Sequence, residues 1–123
     1  MRDFRELKVW ERSHRLVLDV YDVTNKFPRR ETYGLTAQLR RCCISIPANI
    51  AEGCGRSGDA ELGRFMLISM GSANELEYYL LLARDLGSLG SQDYERLSQR
   101  TKEVKRMLST FITKLRHTKK LTS

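Results

Sequence analysis

The sequence predicts an all-α protein, an antiparallel up-and-down four-helix bundle. Four segments carry apolar residues at alternating spacings of three and four, the seam pattern of helices packed side by side. No segment alternates apolar and polar with period two, as a half-buried strand would. Only two prolines interrupt 123 residues, which leaves room for long helices.

The first helical pattern is Leu7, Trp10, His14, Val17, Tyr21 and Thr24, flanked by Leu16, Val20 and Val23. It ends near Phe27-Pro28, because the residue before proline avoids helical angles. The second is Leu35, Leu39, Cys42, Ile46 and Ile50. Pro47 falls inside it, removes a hydrogen bond to Cys43 and crowds that turn. A kinked helix and a helix restarting at Pro47 both satisfy the pattern. The third runs Leu62, Met66, Ser69, Ala73, Leu76, Leu80 and Ala83, and the fourth Tyr94, Leu97, Thr101, Val104, Leu108, Phe111 and Leu115. Gly53, Gly55 and Gly58 mark the joint between the second and third. Gly87 suits a helix C-terminus and Ser91 the next N-cap. That short loop makes the last two helices antiparallel neighbours. The bundle is expected over residues 1–118, with a basic tail at 119–123.

The length suits one domain. A hydrophobic content of 41% and a charged content of 30% fit a globular chain, not a disordered one. No apolar run approaches the ~20 residues of a membrane helix. The first six residues lack an apolar signal core, so export is not expected. Cys42, Cys43 and Cys54 are odd in number and two are adjacent, which is no disulfide framework. They suit a reducing cytoplasm, as small buried hydrophobes. His14 and His117 lie far from them in sequence, so no metal-ligand spacing arises. No metal and no cofactor are expected.

The net charge of +7 is unevenly placed. Residues 1–100 carry 15 basic and 14 acidic side chains; residues 101–123 carry 7 and 1. An anionic partner, nucleic acid first, fits that imbalance. A solvated helix face with a frayed basic end fits it too. The basic set is Lys102, Lys105, Arg106, Lys114, Arg116, Lys119 and Lys120; Lys102, Lys105 and Arg106 share one helix face. Arg40 and Arg41, with Arg29 and Arg30, could also meet phosphates. Few aromatics interleave with these cations, so base stacking is not strongly indicated.

Two helices hold more apolar surface than one seam uses. Ala37, Ile44, Ala48 and Ala51 lie roughly opposite the second seam. The third helix is apolar nearly all round at Tyr78, Tyr79, Leu80, Leu81 and Leu82. Such a helix should be buried all round, yet a four-helix monomer exposes the outside of every helix. Self-association through these two helices is therefore expected; a thicker monomer core is the alternative.

Between the two apolar faces of the second helix runs a polar stripe: Arg41, Ser45, Asn49, Glu52 and Arg56. It reads as a structural network, with Glu52 pairing Arg56 at i,i+4 and Arg41 reaching Glu52 from a neighbouring turn or subunit. As an active site it lacks a histidine near Ser45 and a second carboxylate. No catalytic residue is assigned, and no enzyme is expected. Gly53-Cys54-Gly55-Arg56-Ser57-Gly58 is a literal Gly-x-Gly-x-x-Gly. A dinucleotide site needs a strand before it and a helix after it. Here a helix precedes, so a helix-breaking joint explains the glycines better.

Several runs together resemble a known family. They are Phe4-x-x-Leu7-x-Val9-Trp10, Phe27-Pro28, Glu31-x-Tyr33-Gly34-Leu35 and Gln38-Leu39-Arg40-Arg41. Ser45-Ile46-Pro47-Ala48-Asn49-Ile50-Ala51-Glu52-Gly53, Gly55-Arg56 and Gly71-Ser72-Ala73-x-Glu75-Leu76-Glu77 complete the set. The chain resembles the bacterial four-helix-bundle proteins called 23S rRNA intervening-sequence proteins, or S23 ribosomal proteins. More distantly it is similar to the accessory variability proteins of diversity-generating retroelements. The resemblance implies small cytoplasmic bundles that form homopentamers, with no established catalytic residues. The retroelement branch implies binding to a reverse transcriptase and nucleic acid, but the Ser45-to-Gly53 run belongs to the intervening-sequence branch. The resulting expectation is a non-enzymatic homo-oligomeric scaffold that binds nucleic acid, RNA ahead of DNA. A reverse-transcriptase adaptor is the second reading.

Overall fold

A computed structural model describes residues 2–122, with side chains for 2–117. Four helices carry the fold: α1 (Lys8–Thr24), α2 (Leu35–Cys54), α3 (Asp59–Asp85) and α4 (Ser91–Thr122). Short 3₁₀ turns at Phe4–Glu6 and Arg29–Glu31 precede α1 and α2. No strand occurs among the described residues. The tail expected at 119–123, with Lys119 and Lys120, lies outside the residues whose side chains are described.

Cross-helix contacts run in opposite order along each neighbouring pair. From α2 to α3, Arg41 meets Glu75, Ser45 meets Ser72, and the Ile46 carbonyl accepts from Ser69. From α3 to α4, Glu77 meets Lys105 while Gly63 sits beside Leu115. From α1 to α4, Arg12 pairs with Glu103 and Asp19 with Arg100. Each helix packs along its sequence neighbours, α1 closes on α4, and the backbones of diagonal pairs stay apart. The α2–α3 contact is the most extensive and the α1–α4 contact the least.

The seams of α2, α3 and α4 fall where the spacing places them. Leu39, Cys42, Ile46 and Ile50 from α2 meet Met66, Ala73, Leu76 and Leu80 from α3, and Leu97, Val104 and Leu108 from α4, all buried. In α1 the seam is turned from the expected line. His14 is exposed and stacks on Trp10 at 5.0 Å. The buried stripe is Val9, Ser13, Leu16, Val20 and Val23. The aliphatic residues take the centre, while Trp10 and Tyr21 are half-buried and pack against the core edge.

The joints sharpen the expectations. α2 runs through Pro47 as one helix, so no restart occurs. Gly53 is not a breaker but lies inside α2, where an added Cβ would stand 2.9 Å from the Cβ of Phe65. Its missing side chain lets α2 and α3 approach closely. Gly87 adopts φ 81° and closes α3: the Gly87 N–H donates to Arg84, and the Ser88 N–H to Ala83. This is the Schellman arrangement that favours glycine. Ser91 opens α4 rather than capping it, and the Gly90 carbonyl accepts from Tyr94.

Candidate nucleic-acid interface

The fold divides the cations into paired and unpaired groups. Arg41 donates to Glu75 at 2.8 Å, and this hydrogen bond holds its guanidinium still more firmly protonated than usual. Arg40 donates to Thr24 and Asn25, both at 3.0 Å, and lies over the Tyr21 ring. Lys105 meets Glu77 at 3.3 Å. Lys8, Lys102, Arg106 and Arg116 have no ion pair or side-chain hydrogen bond among the described residues. Lys114 is exposed on α4 nearby and has an interaction of its own. The expected basic set thus separates. Arg40, Arg41 and Lys105 serve the bundle, whereas Lys102, Arg106 and Arg116 project without partners. A second unpaired group, Lys26, Arg29 and Arg30, sits at the turn before α2 beside the exposed Tyr33. It lies about 25 Å away along α1.

Lys8 joins the unpaired group only in three dimensions. Antiparallel packing brings the start of α1 against the middle of α4. There a groove of about 400 Å³ opens over Leu7, Met107 and Phe111, with Lys8, Arg106 and Lys114 on its walls. Sequence reasoning missed Lys8, Met107 and Phe111 as site residues. Their only signal was membership of helices that must pair. A larger depression further along the same seam differs in kind. It holds Glu11, Arg12, Arg15, Asp19, Arg100 and Glu103. Its three carboxylates and three guanidiniums engage one another, as in Arg15–Glu11 at 3.2 Å and the Arg12–Glu103 and Arg100–Asp19 pairs.

On the opposite side, the outer face of α2 and α3 stays apolar. Ala37, Ile44, Ala48 and Tyr78 are exposed; Ala51, Tyr79, Leu81 and Leu82 are half-buried. None of these eight is buried inside a single chain. Leu67 at 48% exposure and Ile68 at 41% extend the face. These two were missed, although both lie off the α3 seam. The polar stripe is satisfied locally. Glu52 holds Arg56 at 2.6 Å, Asn49 donates to Ser45, and Ser72 donates to Ser45 at 2.8 Å. Arg41 departs from expectation, because its partner is Glu75 of α3 rather than Glu52.

The sequence of this bundle matches the family model for 23S rRNA-intervening sequence protein over residues 5–110. The chain belongs to that family. A solved structure from Bacteroides thetaiotaomicron, described as a protein of unknown function from the S23 ribosomal protein family, is similar. It aligns with a TM-score of 0.80 at 23% identity, covering 85% of this chain and 95% of that one. At that identity the likeness speaks for the fold alone. Comparison with curated proteins gives no match.

The cysteines are free and buried. Burial pushes the Cys42 and Cys43 thiols up to about 12 and raises Cys54 as well, so thiolate chemistry is suppressed. Among the described residues, no cluster of three or more histidine, cysteine or acidic residues is placed to hold a metal. Among the described residues, no helix is long and apolar enough to cross a membrane.

Proposed function

We propose that the chain is a non-enzymatic, cytoplasmic scaffold that assembles with copies of itself and binds nucleic acid, RNA ahead of DNA. The observation that carries this reading is that Lys8 on α1 and Lys102, Arg106 and Arg116 on α4 have no acidic partner among the described residues. Unpaired cations keep their full attraction for phosphates, and each phosphate neutralised releases a counterion. The family's name ties its members to an insert in ribosomal RNA, which is consistent with this reading. The α2–α3 face supplies the assembly surface, since apolar patches rimmed by polar groups mark protein contacts. Five as the subunit number follows from the family resemblance.

Filter binding of a structured RNA from low to moderate salt tests the nucleic-acid reading. The logarithm of affinity should fall linearly with the logarithm of salt. Lys102→Glu with Arg106→Glu should weaken binding on all RNA sequences, and Lys105→Glu should add less, because Lys105 already serves Glu77. Absence of binding at low salt overturns the reading. Light scattering should return a multiple of 14.3 kDa. A one-chain mass would shift the apolar face toward docking another protein, such as a reverse transcriptase.

A further inference from the structure

We infer that the groove between the start of α1 and the middle of α4 is a binding site for an unpaired nucleotide of single-stranded RNA. The inference rests on the nucleic-acid reading above and adds the form of the ligand and its seat. Its apolar lining includes Leu7, Met107 and Phe111, whose ring carries the Arg2 guanidinium at 5.5 Å, and its lining cations include Lys8 and Arg106. Both cations lack an anionic partner among the described residues. The occupant must therefore combine an apolar surface with negative charge at its edge.

An unpaired nucleotide meets both demands. Its base has a free face for the apolar lining, and its flanking phosphates reach the two cations. A duplex does not, because its base faces are hidden in the stack and only its backbone can approach. The volume of about 400 Å³ lies within the usual range for a small-molecule-sized site. Arg116 and Lys102 lie on α4 to either side of Arg106, so a strand leaving the groove in either direction meets further positive charge. The neighbouring depression on the same two helices is a built-in contrast. Glu11, Asp19 and Glu103 line it, and a polyanion would meet carboxylates there.

Equilibrium binding of a short oligouridylate and of a blunt RNA duplex of equal length tests the site on the full chain. The single strand should bind about tenfold tighter, the effect of one base contact. Lys8→Gln with Arg106→Gln should weaken single-strand binding and flatten its salt dependence by about 1.4 in logarithmic slope. Met107→Gln should weaken single-strand binding while leaving both the salt slope and duplex binding unchanged. Should Met107→Gln fail to fold, photocrosslinking of a 4-thiouridine-containing strand to the wild-type chain replaces it, with the adduct expected on the segment containing Met107 and Phe111. Equal binding of both probes, unaffected by these variants, overturns the groove and leaves the broader nucleic-acid reading standing. Failure of both probes to bind overturns both. Capture of an acidic amphipathic peptide in place of either RNA makes the groove a protein-docking site and overturns the proposal.

Discussion

The α2–α3 side and the α1–α4 side of this bundle use charge in opposite ways. On the first, exposed cations are held by carboxylates, as in Arg41–Glu75, Arg56–Glu52 and Arg64–Glu61, and apolar side chains stand between them. On the second, the helices touch less, and Lys8 and Arg106, beside a greasy groove, have no anionic partner among the described residues. A neutralised apolar face can be buried against another copy at little electrostatic cost. An unneutralised cationic face cannot, because burying an unpaired charge is expensive. The proposal of assembly on one side and anion binding on the other rests on this contrast.

The largest expected effect breaks the contrast at its assembly side. Ile44→Glu with Tyr78→Glu places two unpaired carboxylates in the contact, at a cost of several kcal/mol. Light scattering should then fall to the mass of one chain, with helicity retained. Leu18→Glu, an exposed leucine on α1, should leave the mass unchanged. A wild-type mass for the double variant would remove the assembly role from α2–α3.

The inner seams should differ next. Gly53→Val forces a side chain into the 2.9 Å gap beside Phe65 and should lower stability by about 1–3 kcal/mol in urea unfolding. Retention of wild-type stability would mean that α2 and α3 can move apart freely.

Alkaline pH probes the same seam through Cys42 and Cys43. The folded thiols are pushed up to about 12, whereas unfolded thiols ionise at ordinary values. Below the unfolded value both states keep the proton, and the fold suffers no loss. As pH rises from about 9 toward 12, the unfolded chain alone releases protons, so stability falls. Cys42→Ala with Cys43→Ala should flatten that decline. At neutral pH an aromatic disulfide reagent should label these two thiols only as fast as the bundle opens.

The smallest effect belongs to the paired depression of α1–α4. Arg12→Ala removes the exposed pair with Glu103 and should cost under about 1 kcal/mol. It should also leave RNA affinity nearly unchanged, unlike Arg106→Gln.

Much of the bundle was legible in the spacing. The α2, α3 and α4 seams needed only the helical period, because each packs one aliphatic stripe inward. The α1 seam was displaced because Trp10, His14 and Tyr21 are amphipathic, and periodicity treats them as ordinary core residues. The apolar excess at Ile44, Ala48 and Tyr78 was visible because these residues lie off the seams. Arg41, by contrast, was paired with Glu52 from a neighbouring turn or subunit, because linear spacing does not rank Glu75 on another helix of the same chain.

The chain of residues by itself determined four helices, their order, their greasy outer positions and a cationic final third. Local periodicity and net charge are sums over nearby positions, so they survive without coordinates. Which cations are spent on carboxylates, and that Lys8, Arg106, Met107 and Phe111 line one groove, was decided only by tertiary packing. Those partners lie on different helices, and their meeting depends on how α1 and α4 are set against each other.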